Sequence, residues 1–279
     1  MPIARPGTLD EVFDALEEMP DAHLLAGGTD LMVEVNFGHR RPPAVVALRR
    51  VAELAGYDLT PDAVVLRAGV TWTQVETELA GVLPALAAAA RTIGSPQMRN
   101  AGTLGGNVAT ASPAGDSLPV LAAMDATVVL VRRGGERSLP LVDFITGVKR
   151  SVIEPGEVIR EVRVPRLDGP QHFLKVGTRN AMVISIVCCG VVLDRAGRTV
   201  RCGLGSVSPR PLRVPQAEAF ASAAIDWDSM TASPDVAAEF GRLASEAATP
   251  ISDQRGTAAY RRHAVRVITT RALQRSLAA

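Results

Sequence analysis

The sequence predicts an α+β chain in two parts, an α/β half followed by a smaller antiparallel one. Three observations carry that expectation. Up to Pro165, short apolar strands alternate with capped amphipathic helices. After "PRLDGPQH" (165–172) come strands with short connections, which must pair antiparallel. From Val214 onward the pattern is helical, and strands followed by helices mark an α+β unit. A chain of 279 residues, 47% of them hydrophobic, can bury a substantial core. Only 4% are aromatic, so Ala and Val fill much of it and helices pack tightly on sheets.

The elements follow in order. "GTLDEVFDALEEMP" (7–20) opens with a capping box, Thr8 as N-cap and Glu11 three residues on. Val12, Phe13, Leu16 and Met19 form its apolar face. "AHLLAGGTDLMVEV" (22–35) reads as a short strand, a glycine turn and a helix start. "PAVVALRR" (43–50) and "AVVLRAGV" (63–70) read as strands. "TWTQVETEL" repeats the capping pattern from Thr71 to Gln74, with Val75 and Leu79 facing inward, and "VLPALAAAARTI" (82–93) is a second helix. A polar, glycine-rich loop comes next, then a short helix from Asp116. "ATVVLVRR", the Gly134–Gly135 turn and "ERSLPL" make a hairpin. "EVIREVRVP" (157–165) sets Val158, Ile159, Val162 and Val164 against charged residues. The second part holds the strands "FLKVGT", "SIVCCGVVLD" and "TVRCGLGSV", then two or three helices ending in "RRHAVRVITTRALQRS".

Composition excludes several functions. Thirty basic against 29 acidic residues give a net charge of +1, which offers no global attraction to nucleic acid or membrane. No apolar run approaches the ~20 residues of a membrane span, and the first residues hold no signal-peptide core, so the expected location is the cytoplasm. The three cysteines, Cys188, Cys189 and Cys202, read as small apolar fillers of a strand region in a reducing compartment. They lack the spacing of metal or iron–sulfur ligands, and the four histidines show no HxxxH or HExxH spacing.

Two glycine motifs carry the functional signal. In "LLAGGTDLM" (24–32), a strand leads through Gly27 and Gly28 to Thr29 and Asp30, which open a helix. Consecutive N–H groups there form an anion nest, and the helix start adds its dipole. The stretch fits neither GxGxxG nor a Walker A loop. In "GTLGGNVATASPAGD" (102–116), Thr103, Asn107, Thr110 and Ser112 offer hydroxyl and amide groups, Gly105 and Gly106 allow close approach, and Asp116 supplies a carboxylate. Arg99 is the only cation of this segment, which suits a diphosphate held by neutral donors. Neither motif contains a nucleophile–base pair. The expected catalytic residues are none, the expected metal ligands are none, and the chemistry belongs to a bound cofactor.

These motifs, with "TIGSPQMRNAGTLGGNVATASPAGD" (92–116) and "GLGSVSPRPLR" (203–213), resemble the FAD-binding medium subunit of the molybdenum hydroxylases. That family includes xanthine dehydrogenase and the aerobic carbon monoxide dehydrogenases. The resemblance runs over essentially the whole chain, and "AGGTDL" leans toward the xanthine dehydrogenase side. It implies a two-subdomain FAD-binding domain of the PCMH/vanillyl-alcohol-oxidase-like type over 1–168 (subdomains about 1–56 and 57–168). A C-terminal α+β domain over 169–279 follows, with an antiparallel sheet and helices. It implies that Leu25, Ala26, Gly27, Gly28, Thr29, Asp30 and Leu31 form the first pyrophosphate loop, and Thr103, Gly105, Gly106, Asn107 and Thr110 the second. Asp116 would reach the flavin's polar side, Lys175 would lie near the isoalloxazine and Ile159 would cover one ring face. Ile93 stands where the mammalian xanthine enzymes place an aromatic residue, which removes stacking but keeps burial.

The resemblance further implies an iron–sulfur small subunit and a molybdopterin large subunit as partners. Electrons would pass from the clusters through FAD to an acceptor such as NAD, a quinone or O2. Three other readings stay open at this point: a stand-alone FAD-dependent oxidoreductase, a carbon monoxide dehydrogenase medium subunit, and a binding module without redox function. The last would use Arg261, Arg262, Arg266, Arg271 and Arg275; the competing reading of those arginines is a solvated face on a packed helix.

Overall fold

The computed structural model describes residues 1–180 and 182–278. The chain opens with β1 (Ile3–Ala4), α1 (Leu9–Glu18), β2 (His23–Leu25), α2 (Leu31–Asn36) and β3 (Val45–Ala47). The three strands form a parallel sheet in the order β1-β3-β2. Thr8 caps α1 by accepting from the Glu11 N–H, but the Glu11 carboxylate bonds Gly7, one residue earlier than a capping box requires. Val12 and Phe13 are buried, while Leu16 and Met19 are half-buried against the same core.

The middle of the chain contains β4 (Tyr57–Leu59), β5 (Ala63–Arg67), α3 (Trp72–Glu78), α4 (Pro84–Thr92), α5 (Pro96–Ala101), α6 (Leu104–Thr110) and α7 (Ser117–Ala123). It closes with β6 (Thr127–Arg132), β7 (Gly135–Pro140), α8 (Leu141–Phe144), β8 (Ile145–Gly147), β9 (Arg150–Ser151) and β10 (Val158–Pro165). Its five-stranded sheet, order β4-β5-β10-β6-β7, is antiparallel throughout, so this half is not uniformly α/β. The Thr71–Gln74 capping box forms in both directions, and Val75 and Leu79 are fully buried. Val158 and Ile159 are both buried, and a β-bulge between Ile159 and Glu161 shifts the register of β10 on β6. The expected glycine-rich loop is mostly helical: α5 and α6 occupy it, capped by Ser95 and Thr103. Its Gly and Asn content hid two helices that tertiary bonds stabilise.

The last part contains β11 (Gln171–Val176), β12 (Val187–Asp194), β13 (Thr199–Gly205), β14 (Leu212–Arg213), α9 (Pro215–Ala224), α10 (Pro234–Ala247) and α11 (Ala258–Leu277). The sheet is antiparallel in chain order. Every residue of β12 is buried because both sheet faces are covered. Cys188 and Val192 face the core shared with α7, and Cys189, Val191 and Leu193 face α9–α11. Three glycines let α7 lie directly on the first face. A Cβ on Gly190 would stand 2.8 Å from Val120 Cα, one on Gly203 2.8 Å from the Pro119 carbonyl carbon, and one on Gly205 3.2 Å from Pro119 Cγ. The "GLG" of residues 203–205 is therefore a packing feature joining the sheet to α7.

α11 packs its Val265, Ile268 and Leu273 into the second core. Arg261 is not on a solvated face: it is 3% exposed and donates to Ile186 O, Ser206 O and Asp253. No helix among the described residues is long and apolar enough to cross a membrane.

Candidate functional site

One large cavity, about 730 Å3, opens between the β2–α2 turn, α6 and the end of α4. It lies in the size range of small-molecule and cofactor sites. Of the residues singled out in the sequence, Leu25, Ala26, Gly27, Gly28, Thr29, Asp30, Leu31, Ile93, Thr103, Gly105, Gly106, Asn107, Thr110, Asp116 and Ile159 line it. Lys175 does not; its Nζ donates at 2.5 Å to the Asp116 carboxylate behind the wall.

The glycines divide their work in a way the sequence does not reveal. Gly28 adopts φ +73°, which makes the turn after β2. Gly27 serves protein packing: a Cβ there would stand 2.6 Å from the Ala101 carbonyl carbon and 2.8 Å from Gly102 Cα. The two motifs thus meet backbone to backbone. Gly105 does the same against Ala68, with its Cβ position 2.5 Å from Ala68 Cβ. Gly106 is the open one. A Cβ there would meet the Thr103 hydroxyl at 3.0 Å and otherwise only Ala26 at 3.9 Å.

The backbone donors also divide unevenly. The first turn of α6 is already satisfied: Leu104 N–H bonds Val70 O, Gly105 N–H bonds Ala68 O and Gly106 N–H bonds Thr103 Oγ1. Among the described residues, the N–H groups of Gly27, Gly28, Thr29 and Asp30 have no protein acceptor. The helix start there is Asp30, not Thr29, and its side chain makes no cap bond. α2 has six residues and α6 seven, so aligned helix dipoles add little; the free N–H run is the anion-binding feature. The second motif contributes side chains. Thr103 Oγ1 accepts and keeps its own proton to donate, and Asn107 Oδ1 takes the Ser117 hydroxyl at 2.6 Å, leaving its amide N–H groups free.

Four basic residues that the motifs did not contain, His23, Arg40, Arg49 and Lys149, also line the cavity. Glu34 binds Lys149 at 2.9 Å and Arg40 at 3.0 Å, and the Lys149 bond holds its carboxyl below the usual range. Arg49 has no ion pair among the described residues. "HRRPPAVVALRR" (39–50) could have signalled the arginines, but nothing in the sequence places Lys149, which comes from the β8–β9 hairpin, beside α2. Arg99, expected as the cation of the second motif, is spent on Glu76 at 2.8 Å and on Gly94 O. Elsewhere the lining is aliphatic: Ile93, Ile153, Val158, Ile159, Val183 and Ile184. A cavity of this volume with free N–H donors, hydroxyls and cations over part of its wall and an apolar lining elsewhere fits a dinucleotide bearing a flat ring.

Residues 1–167 match the family model of the FAD-binding domain in molybdopterin dehydrogenase. The chain belongs to that family. It is an FAD-binding oxidoreductase subunit of the molybdenum hydroxylase type. Residues 172–276 match the C-terminal domain of the carbon monoxide dehydrogenase flavoprotein. The chain is 34% identical over 226 residues to the nicotinate dehydrogenase FAD-subunit of Eubacterium barkeri, 76% of each chain. It is 30% identical over 287 residues to the xanthine dehydrogenase FAD-binding subunit of Escherichia coli O157:H7, covering 99% of this chain and 95% of that one. Quinoline 2-oxidoreductase of Pseudomonas putida 86 superposes with a TM-score of 0.90 at 27% identity, over 99% and 96% of the two chains. Family membership settles the cofactor as FAD and disposes of the binding-module reading.

Proposed function

We propose that the chain is the electron-transfer subunit of a xanthine dehydrogenase-like molybdenum hydroxylase. It receives electrons from iron–sulfur clusters on a small partner subunit and passes them to an external acceptor. Substrate is oxidised at a molybdopterin centre on a large partner subunit. The observation that carries this is the run of four N–H groups, residues 27 to 30, that have no protein acceptor among the described residues and lie in the cavity wall. Such a wall binds a cofactor and leaves the chemistry to it.

In this reading the N–H groups of Gly27–Asp30 hold the diphosphate of FAD. Thr103 and Asn107 add side-chain donors from the facing motif, the Thr110 hydroxyl being given to Gly106 O at 2.9 Å, and Arg49 and Lys149 offset the negative charge. Ile93 and Ile159 cover the ring and exclude water from it. When bound, FAD supplies a centre that accepts electrons singly and releases them singly or in pairs. Residues 1–168 act as the cofactor domain, with subdomains near 1–56 and 57–168, and residues 169–279 pack on it where β12 and β13 meet α7. The acceptor is NAD, a quinone or O2.

The test is the visible spectrum of the purified chain before and after denaturation, with the released cofactor identified by mass, followed by co-purification with co-expressed neighbouring subunits. Non-covalent FAD together with co-purifying iron–sulfur and molybdenum subunits is expected. A chain that oxidises an organic substrate alone would establish the stand-alone oxidoreductase instead.

A further inference from the structure

Asp116 was singled out as a residue reaching the cofactor. Its carboxylate lies in the cavity wall and is held there by three protein donors. Oδ2 accepts from Lys175 Nζ at 2.5 Å and from Thr92 Oγ1 at 2.8 Å, and Oδ1 accepts from Ser185 Oγ. The donors come from β11, from the end of α4 and from the segment entering β12, so one buried carboxylate ties three distant pieces of chain together. Thr92 shares its single proton with Ala89 O, also at 2.8 Å. Ser185 is 1% exposed, and its hydroxyl proton goes to Asp116.

What Ser185 holds is next to it. Ile184 and Val183 line the cavity, and Lys175 Nζ, the other anchor on Asp116, donates to Val183 O at 2.9 Å. Ile184 is 50% exposed, so apolar packing contributes little to fixing it. Two charge-assisted bonds to Asp116 do that work from either end of a short segment. Thr92 makes the matching connection on the other side, because the next residue is the cavity-lining Ile93.

We propose that Ser185 is a positioning residue: acting through Asp116, it holds Val183 and Ile184 as a wall of the cofactor cavity. Asp116 is the keystone of that wall. The inference rests on the reading that FAD occupies this cavity.

The experiment uses the full chain stripped of flavin, with far-UV circular dichroism to confirm folding. Three readouts follow: the Kd for added FAD, the visible spectrum of the bound flavin, and the rate of tryptic cleavage after Arg179, an exposed arginine in the same segment. Ser185→Ala is expected to raise the Kd about ten-fold, the loss of one hydrogen bond to a charged group. It is also expected to alter the flavin spectrum and speed cleavage at Arg179, while Ser185→Thr restores all three. A folded Ser185→Ala chain with wild-type Kd, spectrum and cleavage rate overturns the proposal, as does failure of Ser185→Thr to restore them. If Ser185→Ala does not fold, Thr92→Val carries the test: a shifted spectrum and weaker binding support it, wild-type values overturn it. A wild-type chain that takes up no FAD sinks the reading of the cavity itself, which is a different failure.

Discussion

Gly27→Ala adds one methyl group where the two cofactor motifs touch. Its Cβ would overlap the Ala101 carbonyl oxygen and lie 2.6 Å from the carbonyl carbon, against about 3.4 Å for ordinary contact, so the backbones must part by more than about 0.8 Å. All three nearest atoms are backbone, of Ala101 and Gly102, and none can rotate away. Overpacking of this kind costs about 1–3 kcal/mol. At about 2–4 °C per kcal/mol for a chain of this class, the melting temperature of the apo protein is expected to fall by about 2–12 °C. The same displacement moves the Thr103 side of the cavity away from the free N–H groups of residues 27–30, so FAD affinity falls as well. The assay is differential scanning calorimetry of the apo chain together with an FAD titration. An unchanged melting temperature with unchanged FAD affinity would refute the claim that the motifs are locked together through Gly27.

Gly106→Val is expected to separate the two effects. Its side chain meets a hydroxyl and open cavity, so the apo melt stays near wild type while FAD binding is abolished; a yellow, fully loaded variant would remove Gly106 from the site. The Glu157 carboxyl, 3% exposed and paired bidentately with Arg137, is held below the ordinary carboxylate range by that bond. A depressed folded-state pKa contributes stability that is present above the unfolded value of about 4.5 and lost as pH falls through the folded one. Glu157→Gln is expected to flatten the acid limb of a stability-versus-pH curve below about pH 4.5, and an unchanged limb counts against the pairing. Burial pushes the Cys189 thiol up to about 12 and raises Cys188 and Cys202 as well. Native protein is expected to show no thiol reactive to a disulfide reagent at pH 8, and denatured protein three.

The sequence alone determined the pieces governed by local physics. Thr8, Thr71 and the apolar spacings around them announce their helices, because a cap and a 3.6-residue period act within a few residues. The Gly134–Gly135 hairpin is equally local. Fifteen of the sixteen residues singled out for the cofactor line one cavity, since both motifs must keep small and polar residues wherever backbone or ligand comes close. What the sequence left hidden depends on distant partners. α5 and α6 read as a loop because their stability comes from distant partners, Glu76 and Thr73 for α5 and Val70 and Ala68 for α6, rather than from propensity. Gly27 and Gly106 are the same letter, yet one packs backbone on backbone and the other faces the cavity. Only the fold decides which, because the deciding neighbours lie far away in the chain. Asp116 is the clearest case. A carboxylate at a polar motif reads as a ligand. Three donors, 24, 59 and 69 residues away, fix it in the cavity wall, because a buried charge is stable only where the tertiary structure brings it partners.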